Sequence, residues 1–146
     1  MNTKMQIYIA FFMFILLSIL PYISLSQPKS EKVKARLLDL FELVKQYEYS
    51  EASSYLVYGG TDESRKWKDV YDYEKAGDKQ DVENICARIK TYLDIGGYYE
   101  FRKFKTETES EGQWCIWEVS FYKLEDKRVY FAFLLINGKY CLGDID

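Results

Sequence analysis

The residues of this chain that are suited to acid–base chemistry are carboxylates and tyrosines, because the sequence contains no histidine. Without an imidazole there is no ordinary Ser-His-Asp or Cys-His site and no base that titrates near neutral pH. A buried Asp or Glu with a raised pKa can act as the base instead, and a tyrosine hydroxyl can donate a hydrogen bond to a developing oxyanion. Asp144 with Tyr140 is the first candidate pair, and Glu118 is a further candidate carboxylate.

The dipeptide Asn137-Gly138 predicts where Asp144 and Tyr140 lie. Asn-Gly between two apolar runs is typical of a two-residue type I′ hairpin. The resulting register places three pairs on one face: Leu135 with Tyr140, Phe133 with Leu142, and Phe131 with Asp144. The simpler alternative for Asp144 is a solvated side chain at a frayed strand end. For Glu118 it is a surface carboxylate that pairs across the sheet with a Lys or Arg.

The cysteines and glycines predict packing and turns rather than chemistry. Cys86, Cys115 and Cys141 each lie within an apolar pattern and form no CxxC pair, so no zinc or thioredoxin-like site is predicted. We interpret them as small buried side chains, and one disulfide among them stays open as an alternative. Gly59-Gly60 and Gly96-Gly97 lack the context of a phosphate-binding loop and predict helix ends. No cofactor and no metal ion is expected.

Residues 1–26 have the pattern of a signal peptide. Lys4 precedes a strongly apolar stretch that contains Ile7 to Leu20, and Ser24-Leu25-Ser26 supplies small residues before a cut at Ser26. We therefore expect export, to the periplasm or outside the cell, after cleavage near Ser26. The alternative is an uncleaved membrane anchor, because about 20 apolar residues suffice to cross a bilayer.

The remaining chain predicts one globular domain. We assign residues 27–30 to a short linker and 31–146 to the domain, which is long enough to bury a normal hydrophobic core. The whole chain is 48% hydrophobic and 29% charged, which excludes intrinsic disorder. Its net charge of −3 gives no attraction to nucleic acid or to anionic lipid.

The apolar spacing predicts helices first and strands afterwards. Apolar residues recur every three or four positions in two long segments, and shorter helical patterns lie between them. The predicted helices are Glu31–Tyr47, a short turn Glu51–Val57, a third helix that starts at Thr61-Asp62 and holds Trp67, Val70 and Tyr71, and a fourth that runs from Val82 to Gly96-Gly97 after a break at Gly77-Asp78.

After Gly97 the apolar period changes from 3.6 to 2, which indicates strands. The predicted strands are Tyr98–Glu109, Gln113–Leu124, Val129–Ile136 and a last strand after Asn137-Gly138, with Glu125 to Arg128 as a turn. Helices followed by such a meander predict an α+β fold, with N-terminal helices packed on a twisted four-stranded antiparallel sheet.

The final segment FAFLLINGKYCLGDID, after an N-terminal amphipathic helix, resembles the nuclear transport factor 2-like superfamily with its cystatin-like fold, in particular its small exported bacterial members. The resemblance implies a cone-shaped cavity between sheet and helices, which enzymes of this superfamily use for isomerisation or dehydration and other members use for binding. The candidate lining residues are Trp67, Tyr71, Trp117, Phe121, Phe131, Phe133, Tyr140 and Asp144. The plainer alternative is that these aromatic side chains form a packed core.

The second face of the sheet also carries apolar residues, and an exposed apolar patch marks an interface. The candidate interface residues are Trp114, Ile116, Tyr122 and Tyr130, together with Leu134 and Ile136. Because domains of this superfamily often dimerise through that face, we expect a homodimer there; a small apolar ligand or another protein is the alternative partner. The leading hypothesis for function is a non-enzymatic exported binding or interaction module. The alternatives are a carboxylate- and tyrosine-dependent enzyme and a membrane-anchored envelope protein.

Overall fold

The computed structural model describes residues 27–125 and 127–146. The predicted signal peptide or anchor, residues 1–26, lies outside the described residues, and so does Asp126 in the predicted turn. No helix in the described part of the chain combines the length and the apolar composition that a membrane crossing requires.

Two long helices and one short helix precede the sheet. Helix α1 spans Lys29–Lys45, helix α2 spans Tyr49–Ala52 and continues as a 3₁₀ turn over Ser53–Tyr55, and helix α3 spans Ala76–Gly96. The apolar stripes predicted for the first and fourth helices are confirmed for most of their residues, which α1 and α3 bury. Tyr47, the predicted end of the first helix, lies beyond α1 and is 63% exposed. The break predicted at Gly77-Asp78 is wrong, since both residues lie in the first turn of α3.

Four strands form one antiparallel sheet in the order β1-β2-β3-β4, as the meander predicted. Their bounds are Tyr99–Glu109, Gly112–Phe121, Lys127–Ile136 and Lys139–Ile145. The Asn-Gly hairpin is confirmed: Asn137 has φ 48° and Gly138 has φ 77°, the positive values that a type I′ turn requires. Ile136 therefore pairs with Lys139, and Leu135 pairs with Tyr140.

The helices pack on one face of this sheet, which makes the fold α+β. Phe121, Phe131 and Phe133 have no exposed surface. The ring of Phe41 in α1 meets that of Phe131 at 5.4 Å, and the ring of Tyr92 in α3 stacks on Phe121 at 5.6 Å. Burial of each such side chain stabilises the fold by about 1.5–3 kcal/mol. We call this side of the sheet the helix face and the opposite side the outer face.

Residues 56–71, which we call the strap, do not form the third helix that the apolar spacing predicted. Trp67 has φ 61°, outside the helical region, and Asp62 accepts a hydrogen bond from the amide of Ser64 at 3.0 Å, which favours a turn. Instead, Val57 pairs with Val70, and the amide of Val57 donates to the carbonyl of Leu142 in β4 at 2.8 Å. The strap therefore lies against the free edge of β4.

All three cysteines are buried and none is bonded to another, so their interpretation as small buried side chains is confirmed. Burial raises the pKa of the Cys86 thiol to about 12. Burial also raises the pKa values of Cys115 and Cys141, while nearby positive charges lower them by less. Since the thiolate is the nucleophile, burial and the raised pKa values both disfavour reaction of these thiols in the folded protein.

Candidate functional site

The structure divides the eight predicted pocket residues between the two faces of the sheet. Tyr71, Trp117 and the phenylalanines of β2 and β3 belong to the buried core under the helices, and the half-buried Tyr140 packs against it. Trp67 packs instead in a second apolar cluster on the outer face. The eight residues therefore do not line one common space.

Asp144 lies on the outer face, because a β-bulge changes the register of β4. The predicted pairing of Phe133 with Leu142 is confirmed, but Phe131 pairs with Ile145 and Ala132 pairs with Asp144. The predicted pairing of Phe131 with Asp144 is therefore wrong. The extra residue is Gly143, and a β-bulge of one residue exchanges the faces of the residues that follow it.

The bulge brings the backbone at Gly143 close to an indole ring. A Cβ atom at Gly143 would lie 2.7 Å from Cζ3 of Trp114, so no larger residue fits without displacement of that ring. Trp114 belongs to β2, and its side chain therefore reaches across the sheet to β4. The ring of Trp67 in the strap meets it edge-on at 5.7 Å.

The strap covers part of the apolar surface that the sequence predicted as an interface. Trp114 and Ile116 are each only 8% exposed. Both pack in the outer-face cluster, to which the strap contributes Val57, Trp67 and Val70. Of the other predicted interface residues, Tyr130 is half-buried beside this cluster, whereas Tyr122 follows the end of β2 and is 75% exposed.

A groove of about 270 Å³ remains open on the outer face. Its central row crosses all four strands, because Lys105 pairs with Ile116, Ile116 with Ala132, and Ala132 with Asp144. Ala132 has the smallest side chain of this row, and its small size accounts for the depression at the centre of the groove. The groove is lined by Lys105, Glu107, Glu109, Trp114, Ile116, Tyr130, Ala132, Asp144 and Asp146.

The polar part of the groove is mostly acidic. Lys105 Nζ lies 2.6 Å from Oε1 of Glu107, and this hydrogen bond is the main reason that the pKa of Lys105 is raised. The other three carboxylates, Glu109, Asp144 and Asp146, form no ion pair within 4.0 Å among the described residues. One carboxylate is thus neutralised and three lack an ion-pair partner in the described part of the chain, although Oδ1 of Asp144 accepts a hydrogen bond from the amide of Ile145 at 2.9 Å.

The indole N–H of Trp114 is buried and has no hydrogen-bond partner in residues 27–125 and 127–146. Leaving a buried donor unpaired costs about 1–3 kcal/mol. Trp114 also lines the groove. Within the described structure the groove therefore has carboxylates without ion-pair partners on its rim, and one of its lining residues, Trp114, has a buried N–H without a partner.

A buried ion pair joins the strap to the first turn of α3. Arg65 in the strap makes two hydrogen bonds to Asp78 in the first turn of α3, at 3.2 and 2.7 Å, and the amide of Asp72 donates to the same carboxylate at 2.8 Å. The guanidinium also lies over the ring of Tyr58, 4.0 Å from its centroid. The Arg65 hydrogen bonds hold the pKa of Asp78 below its ordinary value, and the same pairing raises the pKa of Arg65.

Glu118, the further candidate carboxylate, forms an ion pair across the sheet. Its carboxylate lies 3.3 Å from the guanidinium of Arg128 on β3, as the surface-pair alternative predicted. Among the described residues no three His, Cys, Asp or Glu side chains are grouped as metal ligands.

Of the nine groove residues, the sequence pattern indicated four as candidate site or interface residues, Trp114, Ile116, Tyr130 and Asp144. Lys105, Glu107 and Glu109 alternate along β1, which is enough to place them on one face of a strand. Ala132 and Asp146 carried no such signal, because their positions depend on the pairing of β3 with β4. Comparison with protein-family models, with curated proteins and with solved structures gives no match.

Proposed function

We propose that this protein is an exported, non-enzymatic binding module whose binding site is the groove on the outer face. The observation that carries this proposal is the contrast between the two faces. The helix face is filled by packed aromatic side chains, whereas the outer face has an open groove with Trp114 and Tyr130 in its lining and carboxylates on its rim. Apolar lining with a few polar groups is typical of ligand sites.

The packing favours binding over the enzyme alternative. A carboxylate- and tyrosine-dependent enzyme needs a buried carboxylate that faces an open pocket. Among the described residues Asp78 is the buried carboxylate, and both of its oxygens are already bonded to Arg65. Tyr140 packs against the core, on the opposite face from Asp144.

The wider context of the module is part of the proposal. The order of elements and the helix layer over an antiparallel sheet agree with a cone-shaped, cystatin-like member of the nuclear transport factor 2-like superfamily. The pattern of residues 1–26 supports export with cleavage near Ser26, and the anchored form stays the alternative.

A homodimer through the outer face also stays a prediction, but charge favours a different partner. In a twofold interface the same patch contacts itself. The rims of two grooves would then bring Glu109, Asp144 and Asp146 of one copy toward those of the other. A partner with complementary charge avoids this repulsion.

The proposal is tested by mapping which residues respond to small ligands. Protein purified after expression of the full chain is titrated with a library of neutral, acidic and basic fragments, and backbone amide shifts are followed by NMR. We expect the largest shifts at Ile116, Tyr130, Ala132 and Asp144. Shifts centred on Phe121, Phe131 and Phe133 instead would place the site under the helices and would contradict the proposal.

A further inference from the structure

We infer that the groove on the outer face binds a basic peptide segment of another protein, with a Lys or Arg side chain lying between Trp114 and the carboxylates of the rim. This inference rests on the proposed function, and it adds the chemical class of the ligand. Three features of the groove carry it: its unbalanced charge, the way it already holds one ammonium group, and the unpaired indole N–H.

The charge of the groove selects a cation. Its lining contains four carboxylates and one lysine, and that lysine is paired with Glu107. The remaining three carboxylates come from opposite edges of the sheet, Glu109 from β1 and Asp144 and Asp146 from the end of β4. A cation placed over Ala132 is therefore attracted from two sides. An anionic ligand would meet the same charges with repulsion.

Lys105 shows how the groove accommodates an ammonium group. Its Nζ is 2.6 Å from the Glu107 carboxylate and 5.9 Å from the centroid of the Tyr130 ring. Contact with a carboxylate and with an aromatic face is how proteins hold a Lys or Arg side chain. Trp114, Glu109 and Asp144 also line the groove, and in our inference they receive the second cation.

A peptide fits better than a free amine because the buried N–H of Trp114 lacks an acceptor in the described structure. The buried N–H of Trp114 has no partner among the described residues, and an ammonium ion has only donors. A peptide brings backbone carbonyls as well as the basic side chain. After a small shift of the indole, one of these carbonyls would accept the hydrogen bond of the Trp114 N–H. The volume of about 270 Å³ is that of one or two side chains rather than of a drug-sized ligand.

The test uses three defined probes and the protein purified after expression of the full chain. The probes are the capped peptide Gly-Lys-Gly-Lys-Gly, its Gly-Gln-Gly-Gln-Gly analogue, and butylammonium. Binding is followed by NMR through the amides of the groove and the indole N–H of Trp114, which is assigned with Trp114→Phe. We expect the lysine peptide to bind most tightly and to shift the Trp114 indole signal downfield, and we expect weaker binding at high salt.

Charge variants test the carboxylates directly. The variant Glu109→Gln/Asp144→Asn/Asp146→Asn removes three charges that form no ion pair, so we expect it to fold and to bind the lysine peptide about tenfold more weakly, since one exposed ion pair changes an equilibrium about two- to fivefold. The matched control removes three exposed charges from the helix layer, Asp39→Asn/Glu48→Gln/Glu51→Gln, and should bind as wild type does.

Each other result overturns the inference in a recognisable way. Equal binding of the glutamine peptide would show that charge does not select the ligand. Equal binding of butylammonium, with no shift of the indole signal, would make the ligand a small amine. Self-association that the groove variant abolishes would make the occupant a second copy of this chain. If fragments bind the groove but the lysine peptide does not, the peptide assignment fails and the proposed function stands; if nothing binds the groove, both fail.

Discussion

The ion pair between Arg65 and Asp78 provides the sharpest prediction about stability. We predict that Asp78→Ala destabilises the protein by about 3 kcal/mol, because it leaves the Arg65 guanidinium buried without its main partner. In the folded protein the two side chains are only 15% and 8% exposed, and the carboxylate accepts two hydrogen bonds from Arg65 and one from the amide of Asp72.

The magnitude follows from what Arg65 retains after the change. Breaking a buried pair typically costs about 3–5 kcal/mol. Arg65 keeps its hydrogen bond to the carbonyl of Val70 at 3.0 Å and a longer contact of 3.4 Å with Asp69, so the lower end of that range applies. For a domain of this size the loss corresponds to a fall in Tm of roughly 10–15 °C.

Urea unfolding at neutral pH measures this loss, and amide hydrogen exchange locates it. We expect faster exchange at the strap amides of Tyr58, Trp67 and Tyr71, whose hydrogen bonds hold the strap to itself. The matched control is Asp94→Ala, which removes a carboxylate from the same helix. Its ion pair with Lys90 is exposed, so we expect a loss below about 1 kcal/mol.

Two results would refute the reasoning. Equal losses for Asp78→Ala and Asp94→Ala would show that burial of the pair contributes nothing. Unchanged exchange in the strap, with a full loss of stability, would show that the pair supports α3 and not the strap.

Three further predictions concern pH, packing and thiols. The pKa of Asp78 is lower in the folded protein than in the unfolded chain, so its contribution to stability is present above about pH 4 and is lost as the pH falls further. The difference in the free energy of unfolding between wild type and Asp78→Asn, measured with urea, should therefore shrink as the pH falls from about 5 to about 2.5. A constant difference would contradict this. Gly143→Ala should cost about 1–3 kcal/mol by urea unfolding, because its Cβ would lie 2.7 Å from Trp114, whereas Gly77→Ala, with no atom within 4 Å, should not destabilise; equal effects would argue against the close contact. The three buried thiols should resist a thiol-specific reagent in the native protein and react fully in denaturant; rapid native reaction of any of them would contradict their burial.

The sequence pattern correctly predicted those elements whose structure depends on residues close together in the chain. The buried apolar residues of α1 and α3 face one core, so their helical spacing correctly indicates which side of each helix is buried. Asn137-Gly138 fixes its hairpin because both residues tolerate positive φ. The alternation of β2 likewise separates core residues such as Val119 from outer-face residues such as Ile116.

The structure of the strap could not be predicted in this way, because its apolar residues pack in two different clusters. Trp67, Val70 and Tyr71 have helical spacing, yet Trp67 and Val70 pack on the outer face while Tyr71 joins the core. The helical spacing is therefore coincidental, and the ion pair of Arg65 with Asp78, 13 residues further along the chain, is a contact that this spacing does not reveal.

The groove was missed for a related reason. The prediction put Asp144 on the helix face by counting from the hairpin, and one extra residue at Gly143 reverses that result. At this bulge the backbone of Gly143 lies close to the indole of Trp114, two strands away in the sheet, a contact that local sequence does not reveal. The sequence therefore cannot show that the acidic residues of the rim surround Ala132 unless the register of β4 is known.

The measurement that tests the central claim most directly is peptide binding to a protein whose groove has been filled. Ala132→Leu places a larger side chain on the floor of the groove, at a half-buried position outside the core under the helices. Ala87→Leu makes the same change on the exposed surface of α3 and serves as the control. If the groove is the binding site, the lysine peptide binds Ala87→Leu as it binds wild type and no longer binds Ala132→Leu, although both variants stay folded. Unchanged binding to folded Ala132→Leu would contradict the claim.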